Sequence, residues 1–199
     1  MTLILNRGRR RFVAGLLTTG IAGLSLPALR SRAQAQAELA PTPACDDGDE
    51  PTPAQTEGPF FTPNSPERAM LREAGMAGTP LALAGFVLTR SCQPVSGALV
   101  ELWHADDSGA YDNVGFRLRG HQFTSAEGRY AFETIWPGLY PGRTRHFHLK
   151  FQAPNERVLT TQFYFPGEAD NERDGIFDPA LLLQISGDVA RFDTVLDLA

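Results

Sequence analysis

The sequence predicts an all-β domain: an antiparallel β-sandwich with long loops and a short helix, behind an export signal and an extended arm. Three observations lead there. Short apolar runs recur without the alternating helical stretches that a parallel sheet requires. Turn signals separate them, in keeping with 19 glycines and 15 prolines in 199 residues. One run, "HFHLKF", alternates with period two, which puts Phe147, Leu149 and Phe151 on one face and His146, His148 and Lys150 on the other.

Residues 1–35 stand apart from the fold. Arg9, Arg10 and Arg11 form a basic head, residues 12–29 a moderately apolar stretch, and "AQA" a small-residue cleavage site. "RRRFV" has the form of a twin-arginine signal, so the protein is expected to be exported, to the periplasm or outside the cell. Cleavage removes six arginines and no acidic residue, leaving 12 basic against 23 acidic side chains, a net charge of −11. So acidic a chain disfavours nucleic acid as a partner and, once the signal is gone, membrane as well. Cys45 and Cys92 permit one disulfide in an oxidising compartment, the alternative being two free thiols.

Residues 36–56 are proline-rich, acidic and without apolar period, which suits an extended arm or linker. The sandwich is assigned to 57–199. Ser65 and Pro66, opening "SPERAMLREAGMAG", are the start signals of a short helix. Strand-like runs follow at 81–88, 98–104, 129–134, 146–152, 160–165 and 191–198. The turns between them include "SCQPVSG", "DDSG", "SAEGR", "WPGLYPGR" and "PGEADNERDG".

The chain has four histidines, and the pair in the 146–152 run stands about 7 Å apart at Cα on one face, able to converge on one object. Alone the pair is a weak metal signal. No carboxylate follows in 149–153 to complete a cupin-like set, so further ligands must come from distant segments. Tyr111 ends "WHADDSGAY" and Tyr140 sits in "WPGLYPG". A tyrosine in such a turn contributes little to a core, so its hydroxyl is the wanted group. Tyr130 and Tyr164 lie within strand-like runs and read as core or sheet-face residues. His104 reads as a pocket or supporting residue and His121 as structural. Asp106, Asp107 and Asp112 lack calcium-loop spacing and read as a solvated turn.

Taken in order, "QTEGPFF", "GFVLTRSCQPVSGALVELWHADDSGAY", "AEGRYAFETIWPGLYPGR", the histidine run and "TTQFYFPG" resemble the intradiol ring-cleavage dioxygenases. These are non-haem Fe(III) enzymes that split catechols between the two hydroxylated carbons. The resemblance covers residues 55–167 and lacks the helical N-terminal extension with which catechol 1,2-dioxygenases dimerise. It implies Tyr111, Tyr140, His146 and His148 as Fe(III) ligands, Arg143, Tyr140 and Gln162 as catalytic residues, and Pro59 with Arg143 at the substrate. It also implies a catechol-type substrate, O2 as co-substrate and a cis,cis-muconate-type product, and leaves open which catechol is used and whether the chain forms a homo-oligomer. The ligand set makes chemical sense. Ionising two phenols at neutral pH costs roughly 4 kcal/mol each, which a trivalent cation at bonding distance supplies. All electrons come from the substrate, so no nicotinamide is needed outside the cytoplasm. The competing class is a non-catalytic secreted β-sandwich that binds carbohydrate or protein and keeps the fold without iron.

Overall fold

The computed structural model describes residues 50–199. The export signal at 1–35, the first part of the arm and Cys45 lie outside the described residues. Cys92, in the turn after the first strand, is disulfide-bonded.

Nine strands are present among the described residues: β1 (Pro80–Leu88), β2 (Leu99–Trp103), β3 (Arg119–Phe123), β4 (Arg129–Ile135), β5 (His146–Gln152), β6 (Leu159–Tyr164), β7 (Gln184–Ser186), β8 (Val189–Arg191) and β9 (Thr194–Val195). A four-stranded sheet runs β3-β2-β5-β6 and is antiparallel throughout. A five-stranded sheet runs β4-β1-β8-β7, with β9 also on β1. There β1 is antiparallel to β4 but parallel to β8 and β9, so this sheet is mixed.

Period two builds the core. Val100, Leu102, Phe147, Leu149, Phe151 and Phe163 from one sheet share a buried cluster with Leu81, Leu83, Tyr130 and Phe132 from the other. Each such side chain stabilises the fold by about 1.5–3 kcal/mol relative to exposure. His104 ties the two sheets across this core. Its Nε2 pairs with Thr134 Oγ1 at 2.6 Å and its Nδ1 with the Ala105 carbonyl at 2.7 Å.

The expected helix at 65–78 is instead extended where it meets the sheets. Both of them use its backbone: Arg68 N donates to His121 O at 2.9 Å, and Leu71 N donates to Glu133 O at 2.8 Å. Leu71 is fully buried between them. A helix would withdraw those groups and that side chain, so tertiary pairing overrides the start signal. Helical structure among the described residues is one 3-10 turn, Pro179–Leu181, whose N-cap Asp178 accepts from Ala180 N.

The expected run at 191–198 divides into β8 and β9. Tyr130 Oη donates to Phe192 O at 2.7 Å, and Asp193 Oδ1 accepts from Phe86 N at 3.0 Å, which turns the chain between the two strands. Gly85 makes room, since a Cβ there would stand 1.7 Å from Phe192 O. Strands β3 and β7 have no counterpart among the expected runs, because "RGHQF" and "QIS" lack a clear apolar alternation.

The described part of the arm lies along strand edges. Thr52 N donates to Val195 O at 2.9 Å, Gln55 N to Thr160 O at 2.8 Å, and Thr161 Oγ1 to Pro53 O at 2.7 Å. Residues 57–61 then cross the outer face of the four-stranded sheet, where Glu57 pairs with Lys150 at 2.6 Å and Phe61 packs on Trp103.

Candidate metal centre

Strand register sets a row of side chains across all four strands: Arg119 on β3, Trp103 on β2, His148 on β5 and Gln162 on β6 are successive neighbours. His146 faces Tyr164 in an adjoining row. Alternation turns all of these away from the core. The arm covers them, so Arg119, Trp103, His146, His148 and Gln162 are each 5% exposed or less.

The two turn tyrosines reach this face on loops after β2 and β4. Their loops touch through glycine backbones: Gly138 N donates to Asp106 O at 2.7 Å. A Cβ on Gly109 would stand 2.2 Å from Leu139 O, and one on Gly138 would stand 2.3 Å from Gly109 N. The glycines of "SGAY" and "PGLY" are therefore the contact that brings Tyr111 and Tyr140 together. Their rings meet edge to face at 5.9 Å, and Phe60 from the arm stacks on Tyr111 at 4.5 Å and meets Tyr140 at 5.2 Å. The expected solvated aspartates shape these loops. Asp106 Oδ1 accepts from Ser108 N and Ala110 N, and Asp112 Oδ1 from Val114 N and Gly115 N.

Three donor atoms converge at one point. Tyr111 Oη lies 3.1 Å from His146 Nε2, and His148 Nε2 lies 3.1 Å from that same nitrogen. Ligands at right angles, each roughly 2.0–2.2 Å from one cation, stand about 3 Å apart. The donor separations therefore match those of atoms sharing a metal. His146 Nδ1 donates to the Thr144 carbonyl at 2.6 Å, which leaves the Nε2 lone pair directed at the cluster. Tyr140, whose ring abuts Tyr111, supplies the nearby second phenol. No group of three or more His, Cys, Asp or Glu among the described residues could hold a metal, so the Tyr111 phenol is what completes this donor trio.

Electrostatics favour the same reading. Burial pushes the Tyr111 phenol well above its ordinary value, only partly offset by Arg143 and Arg119. Burial also holds His146 down to about 4 and His148 well below its usual range. Both imidazoles are therefore neutral at pH 7 and keep their lone pairs. Only a cation at bonding distance would make the Tyr111 phenolate favourable.

Arg143 lies beside this cluster. Its Nε donates to Asp174 Oδ2 at 2.7 Å and its Nη2 to Gln162 Oε1 at 2.7 Å, while Gln162 Nε2 donates to Thr56 O at 3.0 Å. Asp174 also accepts from Thr144 N at 3.0 Å, so one buried carboxylate orients both Arg143 and the residue that fixes His146. A cavity of ≈ 350 Å³ opens here, lined by Tyr140, Arg143, Asp174 and Arg173 among others. Pro59 is exposed next to Gly58, whose backbone abuts His148. His121 pairs with Ser65 Oγ at 3.2 Å and His104 bridges the sheets, so neither joins the cluster. Tyr164 faces the arm, donating to Gln55 Oε1 at 2.6 Å. Sequence reasoning had no signal for Asp174, one of several acids in "EADNERDG", nor for Arg119, whose guanidinium joins Phe60 O to Asp112 O.

The sandwich gathers a phenol oxygen and two imidazole nitrogens on one covered sheet face, a donor set whose chemistry suits a non-haem metal ion. A family model described as "Dioxygenase" matches residues 56–181. The dioxygenase domain of a dioxygenase carbohydrate-binding protein fusion from Streptomyces sp. SirexAA-E matches with a TM-score of 0.73 and 53% identity, over 75% of this chain and 100% of that one. Hydroxyquinol 1,2-dioxygenase of Nocardioides simplex is 32% identical over 150 residues, covering 63% of this chain and 51% of the relative. The protocatechuate 3,4-dioxygenase beta chain of Burkholderia cepacia is 36% identical over 118 residues, covering 50% of each. The chain belongs to the intradiol ring-cleavage dioxygenase family. It spans about half the length of the curated relatives it matches.

Proposed function

We propose that this chain is an exported Fe(III) dioxygenase that cleaves a catechol-type diol with O2 between its hydroxylated carbons, to a cis,cis-muconate-type product. The observation that carries the reading is the meeting of Tyr111 Oη, His146 Nε2 and His148 Nε2 at 3.1 Å spacings beside the bonded pair Arg143 and Gln162. Tyr111, Tyr140, His146 and His148 would hold the iron. When bound, Fe(III) supplies the Lewis acidity that draws electron density from a diol and opens its ring to O2.

The chain's own residues do the rest. The Thr144 carbonyl fixes the His146 tautomer. Tyr140, half-buried at the cavity, would, as the phenolate that an Fe(III) ligand becomes, take a substrate hydroxyl proton at its Oη and return to the neutral phenol. Asp174 and Gln162 hold the Arg143 guanidinium in place, and its permanent charge stabilises negative charge developing on the ring. Phe60 keeps the arm side of the two tyrosines apolar. Export through a route that carries folded proteins suits an enzyme whose metal is loaded beforehand.

The test is oxygen uptake by iron-loaded protein with catechol, hydroxyquinol, protocatechuate and chlorocatechols. At least one diol should consume equimolar O2 and form a conjugated diacid. A folded, iron-treated protein that consumes no O2 with any of them would return the binding-module reading.

A further inference from the structure

His146 and His148 are neighbours on one strand face, yet they are held by different means. A carbonyl fixes His146 through Nδ1, the usual arrangement for a metal-binding imidazole. His148 Nδ1 is buried and has no hydrogen-bond partner among the described residues. Its ring is confined through contacts instead. Trp103 lies parallel to it, at 5.0 Å between centroids and 8° between planes. At the Cε1 edge, Gly58 leaves so little space that a Cβ would stand 3.3 Å away.

The indole is itself fixed for this task. Trp103 is 1% exposed, and Phe61 packs against it at 4.9 Å. Lys150 Nζ sits 3.6 Å above the Phe61 ring and pairs with Glu57 at 2.6 Å, so the arm clamps the stack from outside. Trp103 Nε1 is buried without a partner among the described residues. An indole that leaves its polar atom unsatisfied is in place for its face, not for its N–H.

We infer that Trp103 is a positioning residue for the metal centre, with its ring face, backed by the glycine at 58, setting the plane of His148 where a hydrogen bond sets that of His146. This rests on the metal-centre reading above. Register explains how the stack arises: Trp103 and His148 are direct cross-strand partners, so their side chains rise side by side from the sheet.

The experiment loads the full chain with Fe(III) as wild type and as Trp103→Leu, Trp103→Phe and Gly58→Ala. It follows iron loss to a chelator, the visible tyrosinate-to-iron band, and thermal unfolding of the metal-free proteins. Supporting contacts to metal ligands are typically worth about 10- to 100-fold in metal affinity. Trp103→Leu should weaken iron retention by about that factor, while Trp103→Phe, which keeps an aromatic face, stays close to wild type. Gly58→Ala should tilt the imidazole and also release iron faster. If Trp103→Leu does not fold, the contrast between Gly58→Ala and Trp103→Phe decides. A merely structural tryptophan would lower the metal-free unfolding temperature and leave iron retention unchanged in every folded variant, which overturns the inference. Wild-type protein that takes up no iron would instead overturn the metal-centre reading itself.

Discussion

The two sheets share one core and differ on their outer faces. On the five-stranded sheet, Ala82 opposite Glu133 and the neighbouring Ala131 are small or charged, and half-buried. On the four-stranded sheet the outward row holds an arginine, a tryptophan, a histidine and a glutamine, all buried. The difference is a second layer. Residues of the arm lie over the latter face and satisfy or enclose what the strands present, through Thr56 O on Gln162, Gly58 on His148 and Phe60 on Tyr111. Desolvation then keeps the imidazoles neutral and the Tyr111 phenol protonated. The outer face of each sheet thus takes its character from the side chains the strands present and from what covers them.

Substitutions can break that contrast in graded ways. The largest effect is expected of Tyr111→Phe, which removes a converging donor: the visible band of the iron-loaded protein should weaken greatly, leaving what the Tyr140 tyrosinate contributes, and turnover fall by about 10³-fold. Absorption spectra and oxygen uptake check both. Arg143→Ala should keep the colour and the iron while kcat falls about 10²-fold, because it removes a charge beside the centre and not a ligand.

A smaller effect concerns the link between the sheets. Burial holds His104 down to about 4 from an ordinary 6.5. Across that window the unfolded chain binds the extra proton, so stability rises with pH, and the contribution is lost as pH falls from 6.5 towards 4. It amounts to about 3 kcal/mol at most. Urea unfolding of metal-free protein should show this slope reduced in His104→Gln. The smallest effect is expected at the half-buried outer edge of the five-stranded sheet: Ala131→Ser should change stability by less than about 0.5 kcal/mol and leave turnover untouched.

How much of this was legible depended on the kind of signal. The 146–152 run was legible because both of its faces are specified, apolar residues inward and imidazoles outward. Tyr111 and Tyr140 were legible because their flanking glycines and prolines make no sense for a core ring, and the structure gives those glycines a use as the contact between two loops. The resemblance pointed to Arg143 and Gln162, and the two side chains are bonded to each other. The covering layer was not legible. The arm has no apolar period, and "SPERAMLREAGMAG" carries helix start signals that hydrogen bonds from two distant strands overrule. Trp103 was not legible either, since nothing local says that its partner across the sheet is a ligand candidate.

The central claim is that two phenols and two imidazoles close around a single ferric ion. Metal analysis of the protein reconstituted with Fe(III), read together with its visible spectrum, tests it most directly. The account predicts one tightly held iron per chain and a burgundy charge-transfer band that Tyr111→Phe greatly weakens. A folded protein that stays colourless and retains no iron, or a band indifferent to that substitution, would contradict it.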